Sequence, residues 1–363
     1  MPVARGTEVR DAAMLGDQQV VIIAGRWELW EPRAVVRVDV DGKPHSLPLP
    51  VRDVNVCYGE AVRADGEGWR YSGCSGNGVQ FAGSSGSVTF VEEESPLHAH
   101  EWMPFDNAEG GVLMSVGPDR RTALVKIVTP SGIERTLGTF DRGSDTWGTE
   151  PGAAVRLVEE RIAVITIESW GAEPAGSSLM LRVFDGEEMT TTRIAFIEGS
   201  WSSVDAVAGP AGELVVAASP SDRTGIVTMV IDPSRPEQPT MHRVPGTASI
   251  FHHPGVQVIA TGGRFAASWV DADDHTVQLA EFDARHVLPP VTIGEGAEGP
   301  HFPLLSIVHA PGEDQDLAVF WTTNDGNVMM RRIPAPATGS LLASELLSRL
   351  SAQIDRLLGR DAG

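Results

Sequence analysis

The chain has 363 residues, 28 of them basic and 49 acidic, for a formal charge of −21. Nucleic acid and anionic membrane surfaces demand a cationic footprint. The sequence offers only short runs such as Asp119-Arg120-Arg121 and Arg331-Arg332, so neither partner is expected.

A hydrophobic share of 42% suits a buried core, and 39 Gly with 25 Pro imply many tight turns between short segments. No N-terminal apolar leader and no membrane-length apolar window is visible, so a cytoplasmic setting is expected.

In chain order, short apolar runs recur about 50 residues apart. They are Val20-Val21-Ile22-Ile23-Ala24, Trp69-Arg70-Tyr71-Ser72, Val112-Leu113-Met114-Ser115 and Ile162-Ala163-Val164-Ile165, then Leu214-Val215-Val216-Ala217, Phe265-Ala266-Ala267-Ser268-Trp269 and Leu317-Ala318-Val319-Phe320-Trp321. A first strand and a turn such as Asp65-Gly66 precede each run. An alternating third strand follows, for example Ala123 to Val128 or Ile226 to Ile231, then a weaker fourth. Period-2 runs bounded by such turns are strand and hairpin signals.

Four antiparallel strands per unit of this length match a propeller blade. On these units the chain resembles the β-propeller superfamily over roughly residues 7 to 335. The resemblance is one of architecture, since the GH…WD signature of WD40 blades and the double glycine of kelch repeats are missing. The expected fold class is all-β: a seven-bladed β-propeller over 1–335, a linker over 336–340 and a C-terminal amphipathic α-helix over 341–359. A β-sandwich pair, or a ring of six or eight blades, is the alternative. The seventh unit lacks a fourth strand, and Pro334 and Pro336 discourage one there. Residues near Pro2 to Gly6 are therefore expected to complete the last blade.

Cys57 and Cys74 are the only cysteines. They lie at equal distances from the Asp65-Gly66 turn, so a cross-strand disulfide is geometrically open. In a cytoplasmic protein two reduced, small apolar side chains are expected instead.

Aromatic and histidine residues gather where first strands begin and second strands end. Trp27, Trp30, His98, His100, Trp102, Trp147, Trp170, Trp201, Phe251, His252, His301 and Trp321 form the expected ligand or partner face. The competing reading has one large residue per blade wedged between neighbours.

His98 and His100 face the same way on a strand and could share a metal, but Glu101 points away. No metal and no other cofactor is expected. The acids of Asp39 to Gly42 and Asp271 to Asp274 lack the final carboxylate of a calcium loop and read as turn chemistry. No catalytic residue is assigned, although Glu101, Asp145, Glu168 and Asp205 could meet in a channel as a glycosidase pair.

After Pro336 the character changes. Ser340 suits a helix N-cap. Leu342, Leu346, Leu347, Leu350, Ile354 and Leu357 then build an apolar stripe at helical spacing. Such a stripe must be buried, either on a protein partner or second copy, or on the ring's own rim. The expectation drawn from the whole sequence is a non-catalytic interaction or scaffold propeller, tethered to an assembly through this helix. The alternative is a glycan- or peptide-processing enzyme with its site in the channel mouth.

Overall fold

The computed structural model describes residues 2–5, 8–15, 20–25, 34–38, 44–48, 60–65, 68–75, 78–92, 100–106, 109–116, 122–141, 146–170, 176–221, 225–246, 255–261, 264–271, 273–297, 305–310 and 316–334. These residues form seven four-stranded antiparallel sheets.

Strand β1 (Pro2–Arg5) stands apart from its neighbours in sequence. The first blade holds β2 (Glu8–Met14), β3 (Val20–Gly25), β4 (Ala34–Val38) and β5 (Pro44–Pro48). The second holds β6 (Glu60–Asp65), β7 (Gly68–Ser75), β8 (Gly78–Gly83) and β9 (Val88–Glu92). The third holds β10 (His100–Pro104), β11 (Gly111–Val116), β12 (Thr122–Thr129) and β13 (Gly132–Asp141). The fourth holds β14 (Thr146–Arg156), β15 (Ile162–Trp170), β16 (Gly176–Asp185) and β17 (Glu188–Ile197). The fifth holds β18 (Trp201–Ala208), β19 (Leu214–Pro220), β20 (Ile226–Ile231) and β21 (Thr240–Val244). The sixth holds β22 (Val256–Thr261), β23 (Arg264–Val270), β24 (Val277–Phe282) and β25 (Val291–Gly294). The seventh holds β26 (Leu305–His309), β27 (Leu317–Thr322) and β28 (Asn327–Ile333), with β1 as its outer strand.

The first strands β2, β6, β10, β14, β18, β22 and β26 touch in that order, and β26 returns to β2. The ring closes around a channel lined by these strands. Seven hydrophobic clusters lie between successive blades. One joins Met14 and Ile22 of the first blade to Phe320 and Val328 of the last. A blade is two-faced, so each flat face must be covered by a neighbour.

That need explains the apolar runs. Strand β19 is buried at every position, as are β24 and β27. Outer strands such as β17 are mostly exposed and polar. A glycine appears where an indole must approach a strand closely. A Cβ at Gly294 of β25 would lie 2.6 Å from the Trp321 ring of the next blade.

Strand β1 pairs antiparallel with β28, Ala4 opposite Val328 and Arg5 opposite Asn327. This is the closure expected from the missing fourth strand. Deleting residues 1–6 removes these ladder bonds and is expected to cost about 2–3 kcal/mol, at about 1 kcal/mol per bond. Thermal and urea denaturation read this directly, and an unchanged midpoint would show that β1 does not hold the ring.

Cys74, near the end of β7, is buried and disulfide-bonded. The chain has one other cysteine, Cys57. The expected pair of reduced thiols is thereby corrected.

Among the described residues, no helix is long and apolar enough to cross a membrane. The only helical turn among the described residues is a 3-10 turn at Val158–Glu160 between β14 and β15. The expected linker and C-terminal helix, with Leu342, Leu346, Leu347, Leu350, Ile354 and Leu357, lie outside the described residues.

Candidate functional site: the central channel

First strands carry an edge with no strand beside it, so their channel-side N–H groups need other acceptors. Side chains of the preceding blade supply them. Asp11 of β2 accepts from the Val62 N–H of β6 at 2.9 Å. Asp205 of β18 accepts from Val258 of β22 at 2.8 Å, and Ser203 from Val256 at 3.3 Å. Gln257 of β22 accepts from Ile307 of β26 at 2.8 Å. Ser306 of β26 accepts from Ala12 at 3.2 Å and donates to Asp11 at 2.6 Å, joining the last blade to the first. These bonds form a polar belt along the channel from the fifth blade round to the second.

Four charged groups cluster there. The Arg63 guanidinium of β6 meets Asp11 at 2.5 Å and donates to the Val62 carbonyl at 2.7 Å. Burial works against its charge, but Asp11, Asp106 and Asp205 outweigh this and raise its pKa. Asp106, just beyond β10, keeps contact with solvent while standing within the field of this cluster. Desolvation pushes its carboxyl above the usual range; Arg63 opposes the shift and Asp11 adds to it. Asp205 is pushed up to about 7, chiefly by desolvation and further by Asp106. The N–H groups of Val258 and Ala206 pull it down, as does Arg63. Three carboxyls thus share one arginine. The channel is a place where a proton is held near neutral pH.

Among the described residues, those expected to form a partner face divide between two places. Trp102 is buried between the second and third blades, edge-on to Phe81 at 5.9 Å, and its Nε1 donates to Ser72 Oγ at 3.4 Å. Trp201 is buried between the fourth and fifth blades, its Nε1 donating to the Ser177 carbonyl at 3.2 Å. Trp321 is buried between the sixth and seventh. These three indoles are interblade wedges and offer no surface to a partner, which corrects their assignment. Burying each ring stabilises the ring contact far more than leaving it at an aqueous rim.

His100 opens β10, Trp147 lies near the start of β14, and Trp170 ends β15 opposite Thr146. All three therefore sit at the end where first strands begin, the upper face. Trp27, Trp30, His98, Phe251, His252 and His301 lie outside the described residues, as does Asp145.

Of the proposed carboxylates, Glu168 is committed elsewhere. It is buried against Arg182 between the third and fourth blades, where the guanidinium also donates to Thr166 Oγ1 at 2.7 Å and lies 3.7 Å over the Phe140 ring. The Asp271 to Asp274 segment does turn chemistry: Asp271 Oδ1 accepts from Asp273 N–H, and Asp274 Oδ1 from Thr276 N–H, each at 3.0 Å. Among the described residues no group of three His, Cys, Asp or Glu side chains is placed to hold a metal.

The sequence reading named Asp205 but missed Asp11, Arg63 and Asp106. One signal was available: Asp11-Ala12 and Asp205-Ala206 occupy like places in β2 and β18, each with its acceptor bond about 50 residues downstream.

Ring, interblade cores and channel belt define a β-propeller. No known protein family matches the chain, and no curated protein matches it. Solved structures do. Virginiamycin B lyase from Staphylococcus aureus shares 13% identity, with 92% of this chain and 97% of that chain covered at a TM-score of 0.57. The BP39L lectin from Burkholderia pseudomallei shares 12%, covering 90% and 96% at 0.58. The β-propeller domain of the Trilobed protease from Pyrococcus furiosus, described as an open velcro topology, shares 11%, covering 90% and 95% at 0.52. At such identities the likeness is one of fold.

Proposed function

We propose that the protein is a non-catalytic binding platform: a rigid ring whose upper face receives a protein partner. The observation that supports this most is the use made of the channel side chains. Asp11, Asp205, Gln257 and Ser306, the groups best placed for chemistry, spend their acceptors on sealing one blade to the next. His100, Trp147 and Trp170 stand at strand ends on the upper face, and aromatic residues there suit partner contact. With a charge of −21, a basic partner is favoured by long-range attraction. The Cys74 disulfide supports an oxidising compartment as the working place, against the cytoplasmic expectation.

A second reading has one specific support. A carboxyl at about 7 beside two more carboxyls and an arginine has the poise of a general acid, as a glycan- or peptide-processing enzyme would require.

One experiment separates them. Purified protein is assayed on chromogenic glycosides and peptide esters, and crosslinked in host extract with contacts mapped by mass spectrometry. The platform reading expects no turnover and crosslinks on the upper face that disappear in Trp147→Ala/Trp170→Ala at unchanged melting temperature. Turnover lost in Asp205→Asn would overturn it in favour of the enzyme.

A further inference from the structure

Six large hydrophobic residues are exposed among the described residues, and five of them lie at one end of the ring. Val88, Ile133, Met189 and Met241 are each the first or second residue of an outer strand, in four successive blades. Outer strands begin where first strands end, so these residues line the lower face. Val158, 54% exposed, sits in the β14–β15 turn of the same face, and a Cβ at Gly212 of the next blade would touch it at 3.4 Å. Phe196, at the far end of β17, is the exception. Singly, an exposed apolar residue is ordinary. An arc of them around one face is not.

The chain itself leaves the ring on that face. Strand β28 runs parallel to β26, because both are antiparallel to β27, and it therefore ends at Ile333 on the lower side. The tail that follows carries the amphipathic stripe. We infer that residues 341–358 fold back as a helix across the lower face of their own ring, laying Leu346, Leu350 and Ile354 on the arc of Ile133, Val158 and Met189.

The reach is sufficient. Six linker residues span up to about 20 Å, and an 18-residue helix adds about 27 Å. A domain of this length has a radius of gyration of about 21 Å, so the helix can cross most of the face. Charge does not oppose the fit: Glu134 and Arg156 pair at 3.8 Å beside the arc, and although Asp185, Glu187 and Glu188 make the turn before Met189 acidic, Glu345, Arg349, Asp355 and Arg356 of the tail balance in sign and bring no net like charge to it. A helix of this length is marginal by itself in water and gains its stability from an apolar surface. The inference leaves the upper face open and does not depend on what binds there.

Hydrogen exchange of the full chain, read peptide by peptide, tests it. Amides of 341–358 should exchange at least tenfold more slowly than in a free tail peptide. The variant Ile133→Lys/Val158→Lys/Met189→Lys should lose that protection while melting as the wild type does. Should those changes disturb the ring, Leu346→Glu/Leu350→Glu/Ile354→Glu leaves the ring sequence intact and should speed exchange in the peptides holding Ile133, Val158 and Met189. Tail exchange at the free-peptide rate would overturn the inference, as would protection indifferent to both variants. Protection lost on dilution, with a dimer mass by light scattering, would assign the tail to a second copy instead.

Discussion

Replacing Arg182 with methionine is expected to lower the unfolding free energy by about 3–5 kcal/mol, the cost of stranding one member of a buried ion pair. The reason lies between the third and fourth blades. Both Arg182 and Glu168 are almost fully buried, with Thr166 and the Phe140 ring as their other neighbours. Methionine fills much of the space but leaves the Glu168 carboxylate without its counter-charge. Replacing both, as Arg182→Met/Glu168→Leu, removes the charge as well and should recover most of the loss, because apolar replacement of a buried pair is often neutral. Urea denaturation of the two variants beside the wild type measures this. A single substitution costing under about 1 kcal/mol, or a double variant no better than the single, would show that the pair does not bear on ring stability.

The second expected result concerns pH. The Asp205 carboxyl is pushed up to about 7 in the folded ring from an ordinary 3.8. The folded state therefore holds the proton more tightly than the unfolded chain. Stability from this group is fully present below about pH 4 and is lost as pH rises toward 7. Asp106, also raised by desolvation, acts with the same sign, and Arg63 works against both. In Asp205→Asn the amide oxygen can still accept from Val258 N–H, but the charge is gone. The variant should match the wild type near pH 4 and exceed it by about 2 kcal/mol above pH 7.5, less than the full linkage value because the carboxyl reaches channel water. Denaturation of both proteins across this range measures the gap. A gap that does not change with pH would mean that Asp205 titrates normally.

The channel cluster was hard to read because belt residues look like ordinary polar strand positions. Asp11 sits between Arg10 and Ala12 with nothing local to mark it. Its meaning comes from Val62 and Ser306, 51 and 295 residues away. The tryptophans present the opposite case. Their gathering near strand ends was visible in the sequence, yet Trp201 and Trp321 turn inward between blades. Periodicity places a residue along a strand; it does not say which of two buried faces receives the ring. Glu168 misled in the same way, because its partner Arg182 lies on the adjacent strand, one hairpin away.

What the sequence determined unaided was the repeating unit and its closure. A second strand buried on both faces must be apolar nearly throughout, as β19 is but for Ser219. A last blade short of a strand must borrow one, as it does from β1. Both are demands of local pairing and burial, and they leave a mark in every unit. Which charges meet in the channel and which indoles become wedges were decided only when the ring closed. Closure alone brings side chains from distant blades within reach of one another, and their energies depend on that distance and on the water left around them.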